Sequence, residues 1–391
     1  MKIMLSAGEV SGDMHGAMLA QSINQLRPGT ELIGFGGARM EREGVRLCRN
    51  FADFNVMGVW EVIKNLGRIR QLLADLTEFM RREKPDLLVL IDYPDFNWRL
   101  AKQARRLGIP VFSYIPPSAW AWRKGRAADC AKIAEEFVVI FPHEMEPYRN
   151  AGAHVAFVGN PLVDTVKPEL TPEEARKWFD VREDETLVLL LPGSRRQEIE
   201  LLLPAMLGAA KLLKQERPDI RFFLPVADGV DEARIRELVN ASGVTVTLTH
   251  ENRYALMHIA DVALATSGTV VMEAALLALP CVVLYRLSTL SYMVGRVLVH
   301  IDRFSLPNIL VGETFEPELL QDEVEPHRIA REALLMCRGG RRRQEVMEKL
   351  DTACRYLGPP GAADRIAGRI LAAAEHHAGK QIQAGERYEK L

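Results

Sequence analysis

Cysteine is scarce. The chain has five in 391 residues, Cys48, Cys130, Cys281, Cys337 and Cys354, and none stands at a paired spacing. That excludes a disulfide framework and a cysteine-based zinc site, and it is the usage expected of reduced thiols in a cytoplasmic protein. Neither sign of charge is in excess: 50 Lys and Arg against 52 Asp and Glu leave a net charge of -2. A nucleic-acid partner would therefore need a local basic patch, and none is expected here. No apolar run approaches the ~18 to 20 residues that span a bilayer. The first residues carry one lysine and a few apolar side chains before Gly8 and Glu9, without the hydrophobic region of a signal peptide. Any membrane contact is thus expected to be peripheral. Internal repeats and low-complexity tracts are missing, and so are the G-x-G-x-x-G and G-x-x-x-x-G-K-[ST] fingerprints.

What is present is an ordinary globular composition, 48% hydrophobic and 26% charged, on a chain long enough for two domains. Up to about residue 160, short apolar runs at 2–7, 31–35, 86–92, 111–114, 137–141 and 155–158 alternate with helical patterns. Unbroken runs such as Leu87-Leu88-Val89-Leu90-Ile91 suit a parallel sheet covered on both faces. Prolines 161, 168 and 172 and the charged run 182–185 interrupt the rhythm, which resumes with strands at 187–191, 222–225, 244–248, 262–265 and 281–284. The predicted fold is α/β, two Rossmann-like doubly wound domains in series facing one another across a cleft. The expected boundaries are 1–165 for the first domain, 166–185 for a linker, 186–355 for the second domain and 356–391 for a C-terminal helix and tail. The tail is a candidate for packing back on the first domain.

Ligands of such sheets bind beyond the carboxyl ends of the strands, so the loops there carry the functional expectations. In the second half, Pro192-Gly193-Ser194-Arg195 joins a strand to a helix, where backbone N–H groups and the helix dipole favour an anion. Ser267-Gly268-Thr269 repeats the device, and Glu273 lies one turn further on, placed to accept the hydroxyls of a ribose. Together they predict a nucleotide-diphosphate site, with arginine and helix ends neutralising the leaving group and no aspartate-rich metal cluster beside it.

In the first half, Asp92 ends a buried strand before Tyr93-Pro94-Asp95-Phe96-Asn97. A carboxylate there, beside a second one, suits a general base; the competing reading is a helix cap, in which Asp95 or Asn97 starts the next helix and Asp92 only orders the turn. The favoured expectation is Asp92 as base with Asp95 as cap. Glu9 and His15 are candidate partners of Asp92. The opening loop, residues 8–16, with Ser11 or Asp13 as a helix cap, starts as a candidate phosphate cradle. It is better read as the acceptor side of the site, with Glu9 and Asp13 as polar walls. Ser118, Trp120, Trp122 and Arg123 offer indoles that could stack on a sugar or meet acyl chains, against the plainer reading of aromatic core. Between residues 57 and 73, apolar side chains at spacings of three and four, with Trp60 and Ile63 widening the stripe and Lys64, Arg68 and Arg70 beside it, suit either a core helix or one lying in a lipid interface.

Taken in order, these loops resemble the lipid-A-disaccharide synthase family of GT-B glycosyltransferases. The resemblance rests on Gly8-Glu9-Val10-Ser11-Gly12-Asp13, Met57-Gly58, Ile91-Asp92-Tyr93-Pro94-Asp95-Phe96-Asn97, Pro117-Ser118-Ala119-Trp120-Ala121-Trp122-Arg123, Leu191-Pro192-Gly193-Ser194-Arg195, Ser267-Gly268-Thr269 and Ser305-Leu306-Pro307-Asn308. It implies transfer of 2,3-diacylglucosamine from UDP-2,3-diacylglucosamine to the 6-hydroxyl of 2,3-diacylglucosamine 1-phosphate, giving a β-1,6 disaccharide and UDP with inversion. It further implies Asp92 as base with Glu9 beside it, and donor contacts from Gly193, Ser194, Arg195, Ser267, Gly268, Thr269, Glu273 and Asn308. Acceptor contacts would come from Ser11, Asp13, Asn97, Ser118, Trp120, Trp122 and Arg123, and a face of Trp60, Ile63, Leu66 and Ile69 would meet the cytoplasmic surface of the inner membrane. No metal and no cofactor is implied, and a homodimer is left open. Tyr93, Ile115-Pro116 and Arg196-Gln197 depart from the family pattern, which bears on acyl-chain fit and loop shape. The competing expectations are a UDP-sugar 2-epimerase on the same scaffold and a noncatalytic nucleotide-sugar or lipid carrier.

Overall fold

The computed structural model describes residues 1–54, 66–117, 126–227, 229–287 and 302–388, in two compact units. The first unit comprises Met1–Pro161 together with Pro359–Leu391, and the second Leu162–Gly358.

The first unit is built on seven parallel strands: β1 (Lys2–Ala7), β2 (Glu31–Gly36), β3 (Arg46–Asn50), β4 (Leu87–Ile91), β5 (Val111–Tyr114), β6 (Glu136–Val139) and β7 (Val155–Phe157), in the order β3-β2-β1-β4-β5-β6-β7. Because side chains alternate along a strand, β4 sends Leu88 and Leu90 to one face and Leu87, Val89 and Ile91 to the other. The first face packs on Leu72, Leu76, Phe79 and Met80 of the helix Leu66–Glu83 and on Phe96 and Leu100 of the helix Pro94–Arg106. The second packs on Leu19 and Ile23 of the helix Val10–Leu26 and on Ile366, Ile370 and Leu371 of the last helix, Ala362–Tyr388. That helix is tied to the sheet's edge where Arg365 Nε donates to the Val158 carbonyl at 2.7 Å and Arg369 pairs with Glu136.

Six parallel strands form the second unit: β8 (Thr186–Leu191), β9 (Ile220–Pro225), β10 (Val246–Thr249), β11 (Val262–Thr266), β12 (Cys281–Tyr285) and β13 (Glu318–Leu320), ordered β10-β9-β8-β11-β12-β13. Both orders reverse at one place, between β1 and β4 in the first unit and between β8 and β11 in the second. Those are the switch points at which loops diverge and leave room for a ligand.

Two strands escaped the sequence reading. β3 carries Arg46, Arg49 and Asn50 with no apolar alternation; it lies at a sheet edge, where Arg46 reaches Glu31 and Glu83 and Arg49 reaches Asp75. β13 is only three residues long. The stretch 166–185, expected as a linker, instead folds into the second unit. Its helix Pro172–Trp178 is capped by Thr171 with Glu174 reaching back, Ala175, Phe179 and Val181 are buried, and Glu169 accepts the Ala255 N–H at 2.8 Å. Proline and charge there mark a helix start and a solvent face, which by composition alone look like a connector. Among the described residues no helix is long and apolar enough to cross a membrane.

Candidate functional site

Ala7 of β1 pairs with Ile91 of β4, so the chain leaves both strands at the same level, through Gly8 and Asp92. Asp92 and Tyr93 are consecutive left-handed residues, at φ 50° and 48°, and Ile115, just past the neighbouring β5, is a third at 54°. None is glycine, so each costs on the order of 1–2 kcal/mol of backbone strain. Such strain persists only where surrounding contacts hold it, and it gathers at functional sites. The holding contacts are explicit. The Asn97 side-chain amide donates to the Asp92 carbonyl at 2.7 Å and the Ser6 carbonyl at 3.2 Å, and its oxygen accepts from Ser6 Oγ at 2.7 Å. The Asp92 N–H donates to the Tyr114 carbonyl at 3.2 Å.

The Asp92 carboxyl is largely buried. Loss of solvent, reinforced by the charge of Glu9 and opposed by a hydrogen bond from the Tyr93 backbone, raises its pKa from the ordinary aspartate value to about 6. A carboxylate poised there is a competent base near neutrality. Glu9 and Ser11 are exposed at the start of the helix Val10–Leu26, and Glu9 makes no capping bond with its side chain. His15 Nδ1 lies 3.2 Å from the Tyr114 hydroxyl, and burial lowers its pKa to about 4, so the ring is neutral.

Several expected roles are corrected here. Asp13 neither caps its own helix nor walls the acceptor: it is buried, and its carboxylate accepts from Gly37 N at 2.8 Å and from Arg39 N and Met40 N at 3.1 Å, capping the helix Ala38–Arg42. Asn97, 1% exposed, is turned to backbone carbonyls and is not placed to touch an acceptor. Nor does Asp95 or Asn97 cap the helix Pro94–Arg106, which starts with Tyr93 as the capping residue and proline in its first turn. Ile69, expected on a membrane face, packs with Leu73 against the core of the first unit, because the sheet presents an apolar face to that side of its helix. Trp60, Ile63, Ser118, Trp120, Trp122 and Arg123 lie outside the described residues, as does the side chain of Leu66.

In the second unit Leu191 of β8 pairs with Ala265 of β11, which brings the two predicted loops to one switch point. Gly193 is left-handed at φ 106°, and a Cβ on it would stand 2.2 Å from Glu198 Oε2. Glu198 folds back over the start of the helix Arg196–Glu216, accepting from Arg195 N at 3.3 Å and from Arg195 Nη1 at 3.1 Å. This helix start therefore already holds a carboxylate, as its unpaired N–H groups and dipole favour. At the second loop Ser267 Oγ donates to the Phe304 carbonyl at 2.9 Å, and Gly268 precedes the helix Thr269–Leu276 with open space where a side chain would project. Glu273, one turn in, accepts from Arg253 Nη2 at 3.2 Å and the Tyr254 hydroxyl at 3.3 Å, while the Arg253 guanidinium lies 4.6 Å from the centre of the Tyr254 ring. Arg253 and Tyr254 were not singled out from sequence. They open the helix Arg253–Ile259 just beyond the loop that follows β10, where the same strand-end rule, applied to that strand, points.

Asn308 is also corrected. It is fully buried, its Oδ1 accepting from Phe315 N and Glu316 N at 3.1 Å and its Nδ2 donating to the Glu316 carbonyl at 2.9 Å and Glu318 Oε1 at 2.7 Å. All four of its hydrogen-bonding capacities are used within the fold, which leaves none for a donor nucleotide. Glu318 in turn accepts from Phe304 N at 2.8 Å and Ser305 N at 3.0 Å, so this frame shapes the segment that meets Ser267. Beside it Glu316 is completely buried, which pushes its pKa up to about 8.

Comparison with known proteins is consistent over nearly the whole length. The model of the lipid-A-disaccharide synthetase family matches residues 3–358. The lipid-A-disaccharide synthase of Syntrophus aciditrophicus is 42% identical over 370 residues, covering 94% of this chain and 97% of that protein. The one from Geobacter sulfurreducens is 39% identical over 381 residues, covering 97% and 98%. Among solved structures, the UDP-GlcNAc 2-epimerase of Neisseria meningitidis superposes with a TM-score of 0.66 at 14% identity, covering 95% of this chain and all of that one. A glycosyltransferase of Rickettsia africae does so with a TM-score of 0.57 at 13% identity, covering 95% and 98%. At these identities the structural likeness establishes the GT-B-like fold and nothing about chemistry. The full-length sequence relationship goes further: this chain belongs to the lipid-A-disaccharide synthetase family, the glycosyltransferases of lipid A biosynthesis.

Proposed function

We propose that the protein transfers 2,3-diacylglucosamine from UDP-2,3-diacylglucosamine to the 6-hydroxyl of 2,3-diacylglucosamine 1-phosphate by an inverting single displacement. Asp92 takes the proton of the acceptor hydroxyl as that oxygen bonds to the anomeric carbon. The bond from that carbon to UDP breaks, and UDP leaves with the electron pair. The first unit carries the base and the acceptor side; the second carries the donor side, where Arg195 and the two helix starts stabilise the departing diphosphate. Glu273, Arg253 and Tyr254 form the nucleoside end of that site. The observation that carries this reading is Asp92 itself, a buried carboxyl with a pKa near 6 in a strained turn at the switch point of its sheet.

Supply of both substrates is assigned to the cytoplasmic face of the inner membrane, with the protein bound peripherally. Labelled UDP-diacylglucosamine, incubated with and without the monosaccharide phosphate, tests the proposal. Disaccharide formed only with both substrates supports it. An epimerised sugar nucleotide without acceptor would favour the epimerase reading, and unchanged donor in both arms would favour a carrier.

A further inference from the structure

We infer that Asn97, keyed by Ser6, is a positioning residue for Asp92: its buried carboxamide sets the left-handed backbone from which the Asp92 carboxyl projects. The inference rests on the reading of Asp92 as base.

The geometry is specific. The Tyr93 carbonyl accepts the first helical bond, from Asn97 N–H at 3.1 Å, but the left-handed backbone at Asp92 carries that residue's carbonyl off the strand ladder, and a carbonyl shielded from water without a donor is costly. Asn97 supplies that donor. Its Nδ2 is 2.7 Å from the Asp92 carbonyl and 3.2 Å from the Ser6 carbonyl, with that of Ile91 further off at 3.4 Å. One amide thus ties the end of β1 to the end of β4 at the point where the sheet order reverses. The carbonyls decide which way the amide faces, since they accept only and so take the NH₂ group, and the Ser6 hydroxyl then donates to the remaining Oδ1 at 2.7 Å and holds the carboxamide in place. Ser6 and Asn97 are 0% and 1% exposed, so neither is placed to meet a substrate. Their effect on the reaction must pass through the turn. Aspartate at position 97 would replace the donor by an acceptor and repel all three carbonyls, and glutamine would be one methylene too long.

The experiment compares Ser6→Ala, Asn97→Ala and Asp92→Asn with the parent enzyme, measuring kcat, KM for each substrate, the pH profile of kcat and the melting temperature. Ser6→Ala is expected to lower kcat by roughly 5- to 20-fold and Asn97→Ala by more than about 50-fold, the scale of a misplaced catalytic group. Both KM values should stay within about twofold, and the acid limb of the profile should move in each variant. A purely structural role would lower activity by the same factor at every pH and leave the limb in place. Should Asn97→Ala fail to fold, Ser6→Ala decides, since it removes one hydroxyl and no backbone donor. If Asp92→Asn keeps parental turnover, the base assignment fails whatever the other variants do. If Asp92→Asn is inactive while Ser6→Ala and Asn97→Ala keep the parental kcat and pH limb, the positioning role is overturned and the base survives.

Discussion

A methyl group on Gly8 would lie 2.1 Å from Cδ1 of the Tyr93 ring. Glycine is therefore required at position 8 by the ring that covers it, and the opening loop and the Asp92 turn are built against each other. Gly8→Ala should displace the Tyr93 ring and destabilise the first unit by about 1–3 kcal/mol, the usual cost of overpacking. Adding Tyr93→Ala should recover most of that loss. Thermal melts of the two single variants and the double variant measure the coupling; strictly additive effects would refute the contact.

With Asp92 as the proposed base, its ionisation sets the pH dependence. The base must be ionised, so kcat/KM should fall tenfold per unit as pH drops below about 6, where Asp92 takes up its proton. Asp92→Asn should cost about 10² to 10⁴ in kcat. Glu9→Gln removes the negative charge that helps raise the Asp92 pKa, so the acid limb should move to lower pH; a limb that stays in place would show that Glu9 is not the second contributor.

The raised pKa of Asp92 also has a consequence for stability. Its folded-state pKa is above its unfolded value, so its contribution to stability is complete below about pH 4 and is lost as pH rises through about 6. Asp92→Asn should thus be more stable than the parent at pH 8, by at most about 2–3 kcal/mol. Denaturant midpoints at low and high pH check both the sign and the window.

Arg195 is held by Glu198 at the helix start proposed to receive the diphosphate. Arg195→Ala should raise the donor KM about tenfold and leave the acceptor KM alone. Glu198→Gln should tighten UDP binding, because the competing carboxylate is neutralised while the capping oxygen remains. Calorimetric titration with UDP measures both, and equal affinities for all three proteins would rule out a diphosphate at this loop.

Glu316 provides a test in the second unit. It is buried with a pKa near 8, accepts the Cys281 N–H at 2.8 Å and stands beside the Glu318 frame. The folded state holds a proton that the unfolded chain gives up, so stability should decline as pH climbs from about 4.5 through about 8. Glu316→Gln keeps the acceptor oxygen and removes the titration. Its advantage over the parent should grow across that window; parallel pH curves would contradict it.

Much of this was legible in the sequence, because each device involved is local. Apolar runs of strand length, separated by helical periodicity, gave eleven of the thirteen strands among the described residues, and both sheets. The positions of Asp92, Arg195, Ser267 and Glu273 beyond strand ends at the two switch points were legible too, and their proposed roles rest on the rule that parallel sheets place ligands there. The short edge strands β3 and β13 were not legible, since an edge strand needs no hydrophobic alternation.

What the sequence by itself determined is the order of the elements, the family and the residue types standing at the two switch points. Only the tertiary structure decided how those residues are used. Asp13, Asn97 and Asn308 share motifs with residues proposed to face substrate, yet each is buried and spends its hydrogen bonds within the fold, Asp13 and Asn97 on groups far along the chain and Asn308 on the segment that follows it. Ile69 belongs to a stripe that could meet lipid or core, and it packs, half-buried, against the core of the first unit. The reason is physical: a motif fixes which polar atoms are near in sequence, whereas burial and long-range partners determine which of them remain free for a ligand.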